Sequence, residues 1–347
     1  MLGGITWHRP KGRGVESTVT RPPRMHPSGI LRLWSGLCAL MAGLLIVGCL
    51  DGSLAMAQVR TGYPEERGLK PTDFPRVIKL ADSVYGYEDL RAPGFTTVSF
   101  FVVGGDGVLL ADGQESPAAM QRLLGTIAKI TPKPIKWYVV GSDHADHTGG
   151  NSLLPHDVRY IVHPTSKWQL ERDAVAAANN PSIYPVIVPP EAMRSDHETI
   201  DIGGRKVEVM FLGRAHTGGD LMVYLPSDKI LFMSEVYFNR VFPAMRAAYP
   251  TEWLHVIDEA LQMDVQRYVP AHGFIEEAGI SRVQLVEFRG AVDYVAAEAR
   301  RLHDLGLSPE EALKQANWGS YGSWMLADSQ RLIAIKRVFS ELNGDLR

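Results

Sequence analysis

Ser142-Asp143-His144-Ala145-Asp146-His147-Thr148-Gly149-Gly150 follows the apolar run Trp137-Tyr138-Val139-Val140 and precedes Asn151. The run predicts a buried strand, and the glycine pair with Asn151 predicts a turn opening a short helix. Two imidazoles and a carboxylate thus share the four positions 144 to 147 at the carboxyl end of a strand. Packed so closely, each group meets the charge or lone pair of the next. A divalent cation resolves that conflict, and imidazole with carboxylate suits zinc, with iron or manganese as alternatives.

Working outward, Thr96–Val103 and Val108–Ala111 are apolar runs joined by Gly104-Gly105-Asp106-Gly107, a hairpin signal. Ser116-Pro117 reads as the cap and first turn of a helix whose inner face carries Met120, Leu123, Leu124 and Ile127. After the histidine-rich turn come a strand at Val158–Val162, a helix at Ser166–Ala178 and a Pro-containing loop over 179–198 that could wall a site. Two more hairpins follow (199–211 and 221–232), then a helix at Thr251–Met263, a strand at Arg267–Pro270 and Ala271-His272-Gly273. Hairpins followed by strand-helix-strand, twice over, predict an α+β chain of two similar halves. Two sheets face to face with helices outside would bury both apolar sets, a four-layer αβ/βα sandwich. Past Ser281 the pattern turns helical, including Ser308-Pro309-Glu310-Glu311 with capping-box spacing. The expected divisions are an export segment (1–57), a lead-in (58–75), a catalytic domain (76–285) and a C-terminal helical extension (286–347) that packs on the core or on a partner subunit.

Besides His144, Asp146 and His147, three separated stretches set unusual polar residues just after apolar strands and beside Gly or Ala. They are His216 in Gly213-Arg214-Ala215-His216-Thr217-Gly218-Gly219-Asp220, Glu235 in Phe232-Met233-Ser234-Glu235, and His272. His156, His163, His197, His255 and His303 lack that context and read as surface or satisfied core. Tyr237, Phe238 and Asn239 follow Glu235 and are candidates to line a substrate pocket.

With these four stretches in this order, residues 76 to 285 resemble the metallo-β-lactamase superfamily. Its pattern is H-x-H-x-D-H followed by G-G, then a later H-T, an acidic residue after a strand, and a final G-H-G. Two ligand positions depart from it: Ser142 stands where the family has its first histidine, and Glu235 where it has a bridging aspartate. The resemblance implies the metallo-β-lactamase fold and a first metal site of Ser142, His144 and His216, with Ser142 a weak or substitute ligand. It implies a second site of Asp146, His147 and His272, with Glu235 between the two. One or two zinc ions are expected, the second site favoured. Asp143 is a less favoured substitute ligand, because neighbouring residues on a strand face opposite ways.

The implied activity is hydrolysis of an ester, thioester, lactone or β-lactam-type bond in a small-molecule substrate. A bound cation lowers the pKa of its water to about 7, and Asp146 is the expected catalytic residue, as a ligand or by orienting that water. Thr148, Thr217, Ser234 and Asp220 are expected to steady the ligand rings. The alternative from a different class is a degenerate member that binds metal or ligand without turnover.

Composition is ordinary for a soluble globular protein: 347 residues, 45% hydrophobic and 22% charged. A pI near 6.4 and the lack of a basic block give no nucleic-acid surface. Residues 1–57 differ, with six Lys/Arg against two acids, an apolar run from Leu33 to Leu50, and Ala55-Met56-Ala57 as a cleavage site before Gln58. That order predicts an export signal and a periplasmic destination, with Met25 a more conventional start than Met1. Ile46-Val47-Gly48-Cys49 resembles a lipoprotein box, so lipidation at Cys49 or a retained signal would tether the protein to a membrane. Both cysteines, Cys38 and Cys49, lie in this segment, so a cut before Gln58 leaves no thiol.

Overall fold

Period-two alternation along the central strands sorts their side chains between two apolar layers. In the computed structural model, which describes residues 60–346, the first half supplies β1 (Arg76–Ala81), β2 (Val84–Arg91), β3 (Phe95–Val103), β4 (Val108–Ala111), α1 (Pro117–Ile130), β5 (Ile135–Val139), α2 (Ala145–Thr148), β6 (Arg159–Ile161) and α3 (Pro164–Ala178). The second supplies β7 (His197–Asp201), β8 (Lys206–Met210), β9 (Met222–Leu225), β10 (Ile230–Phe232), α4 (Pro250–Gln262) and β11 (Arg267–Val269). The chain then continues as α5 (Ala278–Asp304), α6 (Pro309–Gln315) and α7 (Ala327–Leu342). The expected export segment and Cys49 lie outside the described residues. Among those described, no helix is long and apolar enough to cross a membrane.

Strands β1 to β6 form one sheet in chain order, and the other runs β11-β10-β9-β8-β7. The pairs β4–β5, β5–β6 and β10–β11 are parallel and the rest antiparallel. Phe100, Leu109 and Val139 of the first sheet meet Val209, Val223 and Phe232 of the second in one buried layer. Their chain neighbours Phe101, Leu110 and Tyr138 point the other way, onto Met120, Leu123 and Ile127 of α1 and Leu170 of α3. Met222, Tyr224 and Leu231 likewise turn outward onto Trp253, Val256 and Ile257 of α4. The central strands are buried on both faces, the outer strands β1, β6 and β7 only in part, and helices lie on both outer faces: the four-layer αβ/βα sandwich. Helix α1 starts as its sequence predicts, with Ser116 Oγ accepting from the Ala119 amide and Pro117 in the first turn.

Two elements differ from the sequence reading. Helix α5 begins at Ala278, ahead of the Ser281 boundary read from the sequence, where a first turn with Gly279 and no side-chain cap gives no start signal to read. It continues through the 285/286 division, so no linker separates the last helices from the sheets. Phe288 and Val292 of α5 and Ile335 and Val338 of α7 share one apolar cluster with Trp253, Phe238 and Tyr268. Helix α7 is thereby a working part of the outer layer of the second sheet.

Ile335 is fully buried in that cluster. Ile335→Ala should lower the unfolding free energy by about 2–5 kcal/mol within a single cooperative transition, read from urea denaturation. A separate early transition, with the main one unmoved, would show that α7 is an independent appendage.

Candidate metal centre

Carboxyl ends of strands converge between the sheets at one edge of the sandwich. Strand β5 delivers residues 141–148, β10 delivers Ser234 and Glu235, β11 delivers His272, and the connection from β8 to β9 delivers His216. Close packing fixes these turns. A Cβ at Gly141 would sit 2.6 Å from Ser234 Oγ, and one at Gly273, where φ is +83°, would lie 1.9 Å from the Asn239 carbonyl oxygen. Only glycine lets these two chains pass so near one another.

Two donor sets result: Asp146, His147, Glu235 and His272 in one, His144, His216 and Glu235 in the other, each with its ligand atoms within 4.8 Å of one another. In the first, His272 Nε2 lies 3.3 Å from Asp146 Oδ2, 3.2 Å from Glu235 Oε1 and 3.4 Å from His147 Nε2. In the second, His144 Nδ1 lies 2.7 Å from Glu235 Oε2 and 3.1 Å from His216 Nε2, which is 3.3 Å from Glu235 Oε1. Glu235 belongs to both.

Electrostatics match this crowding. Burial alone would raise the Glu235 and Asp146 carboxyls, but neighbouring imidazoles outweigh it and hold both well below the ordinary range. Burial alone would lower the His144 and His147 imidazoles. Glu235 outweighs it at His144, raised to about 9, and Asp112 with Asp146 and Glu235 raises His147 well above its ordinary value. His216 goes the other way, lowered by burial. The carboxylates stay ionised and the pocket draws positive charge, which protons and a divalent cation compete to supply. The donors fit such a cation: four imidazole nitrogens and two carboxylates converge, and His147 Nε2 and His272 Nε2 face each other at 3.4 Å, as two donors to one cation would.

All six expected metal ligands, His144, Asp146, His147, His216, Glu235 and His272, fall in these two sets. Ser142 is adjacent but takes another part. Its fully buried hydroxyl donates to Glu235 Oε2 at 2.5 Å and accepts from the His144 amide at 3.2 Å. The small serine leaves room for the longer glutamate and fastens it, so the two departures from the family pattern compensate each other in space. Of the pocket candidates, Phe238 packs edge-on to His216 and lines the cavity over the donors. Tyr237 and Asn239 face away from it: Tyr237 packs on Phe288, and Asn239 Nδ2 donates to the Phe274 carbonyl at 2.7 Å. Adjacent positions on an extended segment point to opposite sides, which is why one of three lines the site. Asp143 is buried outside both donor sets.

The steadying groups are partly those anticipated. The Thr217 amide and hydroxyl both donate to Asp220 at 2.7 Å, folding the His216 turn on itself. Thr148 Oγ1 donates to the His144 carbonyl at 3.0 Å. Ser234 Oγ donates to Asp112 Oδ2 at 2.5 Å, and Asp112 Oδ1 accepts from the amides of Gly141 and Ser142. Asp112 Oδ2 also lies 3.2 Å from His147 Nδ1, a charge contact without the alignment of a hydrogen bond. Sequence reasoning missed Asp112, although it carries the same sign: a polar residue directly after the apolar Val108–Ala111 and before Gly113. Arg91 was missed too. At the end of β2, its guanidinium pairs with Asp146 and, at 3.1 Å, with Glu115. No local motif marks it, since the pairing crosses from one strand end to another.

The family model for the metallo-beta-lactamase superfamily matches residues 92–272. The chain belongs to the metallo-β-lactamase superfamily. Among curated proteins it is 23% identical over 174 residues to the alpha subunit of a 2,4-dinitroanisole O-demethylase from Nocardioides sp. (strain JS1661), covering 49% of this chain and 51% of that one. It is 23% identical over 257 residues to a linear primary-alkylsulfatase from Pseudomonas sp. (strain ATCC 19151), covering 60% and 48%. The chain thus spans about half the length of the curated relatives it matches. Among solved structures, a metallo-beta-lactamase from Pontibacter korlensis superimposes with a TM-score of 0.52 at 22% identity, over 63% of this chain and 98% of that one. A stereoselective inverting sec-alkylsulfatase from Pseudomonas sp. gives 0.58 at 16% identity, over 76% and 50%. These superpositions speak for the shared fold of the superfamily.

Two predictions follow from the packing around Glu235 and His272. Ser142→His alone would push an imidazole into the space of the Glu235 carboxylate and should cost about 1–3 kcal/mol of stability. Combined with Glu235→Asp, it should regain most of that and raise bound metal by about one equivalent in elemental analysis. An unchanged metal content in the double variant would break the argument for compensation. The second concerns Glu88 on β2, which receives the Ile275 amide at 2.8 Å and so holds the segment after His272. Burial raises its carboxyl to about 7, although Arg76 Nη1 is 3.1 Å away. Folded Glu88 keeps its proton where the unfolded chain has released it. Its stabilising share is therefore whole below about 4.5 and is lost as pH rises through about 7. Glu88→Gln should flatten that part of the urea-midpoint curve, and a slope equal to wild type would place the loss elsewhere.

Proposed function

We propose that this protein is an exported zinc-dependent hydrolase that cleaves an ester-type bond in a small molecule. The observation that carries the reading is the sharing of Glu235 by two convergent donor sets that open on a cavity of about 400 Å³. Phe95, Phe238, Val241, Leu326 and Ile333 give that cavity an apolar wall. Among the ester, thioester, lactone and β-lactam bonds open to the fold, the apolar wall and the similarity to an alkylsulfatase favour an ester with an alkyl or aryl chain. Export rests on the basic, apolar and small-residue order of the first 57 residues.

His147, His272, His144 and His216 would hold the zinc with Asp146 and Glu235. When bound, the ion supplies Lewis acidity and a water that ionises near neutral pH. The chain's own residues do the rest. Glu235 fixes the separation of the two donor sets, itself fastened by Ser142. Asp146, pinned by Arg91 and held ionised, is placed to orient a water by accepting its hydrogen bond. Asp112 and the Thr96 carbonyl, 2.8 Å from His272 Nδ1, fix the orientation of the two rings behind Asp146. Phe95 and Phe238 exclude bulk solvent from the reacting bond.

Purified protein should contain one to two equivalents of zinc, matching its two donor sets, and should hydrolyse chromogenic carboxylic or sulfate esters in preference to a chromogenic β-lactam. Chelation should remove the activity and zinc restore it. Asp146→Ala should lower kcat by a factor on the order of 10³ with the fold intact by circular dichroism. Metal near zero together with no turnover on any substrate would overturn the hydrolase reading in favour of a ligand-binding member.

A further inference from the structure

A second cavity, of about 650 Å³, adjoins the one over the donors. His144 and Arg246 line both, so the two meet at the metal centre. The larger one lies between α3 and the Arg246–Tyr249 segment. Ile183 and Val186, from the loop between α3 and β7, complete its wall. Its character is aromatic and cationic. Trp168 on α3 is 54% exposed at the rim, with the Arg172 guanidinium 4.8 Å from its ring centre. Tyr249 is flanked by Arg214 at 4.1 Å and Arg337 at 5.2 Å.

These cations are not equally available. Arg214 is paired with Glu252, and Arg337 donates to the carbonyls of Ala247 and Ala248. Arg246, exposed at the junction of the cavities, has no acidic partner among the described residues, and Arg172 has only the face of Trp168. Of the carboxylates facing this space, Asp173 accepts from Gln169 Nε2 at 2.9 Å, and Asp143 lies at the floor, 5% exposed. The exposed Trp168 ring with Arg172 beside it, and the free Arg246 guanidinium elsewhere on the same wall, suit a flat or apolar group that ends in an anion.

We infer that the α3-side cavity is a second substrate lobe, which takes an aryl or alkyl arm bearing a carboxylate or similar anion against Trp168, Arg172 and Arg246. The inference rests on the hydrolase reading, with the scissile bond at His144. The substrate is then an elongated ester with an uncharged apolar arm under α7 and a charged arm beside α3. Trp168 and Arg172 belong to the second lobe alone, whereas Arg246 sits where the arms join.

Calorimetric titration with 4-phenylbutyrate, 4-phenylbutanol and 4-phenylbutylamine tests this without turnover, on both zinc-loaded and chelated protein. The carboxylate should bind tightest in both. Arg246→Glu and Arg172→Glu should each weaken it roughly tenfold while leaving the alcohol nearly unchanged, and Trp168→Ala should weaken both. Equal binding of carboxylate and amine, or carboxylate binding indifferent to Arg172→Glu and Trp168→Ala, would overturn the lobe. An effect of Arg246→Glu alone would put the anion in the smaller cavity and equally overturn it. Ester hydrolysis measured on the same preparations separates the two claims. Charge-dependent binding, with metal near zero in the purified protein and no turnover on any ester, defeats the hydrolase reading and leaves the cavity as a ligand site, whereas turnover with charge-blind binding does the reverse.

Discussion

One carboxylate sets the geometry of this protein's centre. Glu235 Oε1 faces His272 and His216, and Oε2 faces His144 and the Ser142 hydroxyl. These contacts come from four turns far apart in sequence, so the site exists only when both sheets are in place. A buried carboxylate is stable there because imidazoles and a hydroxyl satisfy it from several sides. The tight approach of Gly141 to Ser234 and of Gly273 to Asn239 serves the same end, letting the turns close around one side chain.

Asp112 extends that logic outward. It ties the Ser234 turn to the start of the 141–148 turn and faces the far side of the His147 ring. Asp220 does the same for the His216 turn. The donors are therefore mounted on short turns after the strands, one of them the single-turn helix α2, and the carboxylates behind them fasten those turns. The price is a cluster of buried charge that only a cation, or protons in its place, can balance.

Much of this was legible in the chain. Apolar runs of strand length, glycine-marked hairpins and the Ser116 and Ser308 caps fixed the element order. The recurrence of His or acid after a strand and beside glycine gathered the ligands. What stayed hidden depends on packing between distant segments. Arg91 reaches Asp146 from another strand, Ser142 serves Glu235 rather than the donor sets, and Tyr237 and Asn239 turn inward while Phe238 turns to the cavity. The start of helix α5 stayed hidden because its first turn lacks a cap. The placement of α7 on the second sheet was invisible because amphipathic periodicity says that a face is buried, not against what.

That placement separates two properties that many enzymes keep entangled. The candidate metal donors sit on the turns that follow the strands, while Leu326 and Ile333, at and within α7, line the cavity above them. Changes in the last helix can therefore widen or narrow what enters without disturbing a single donor.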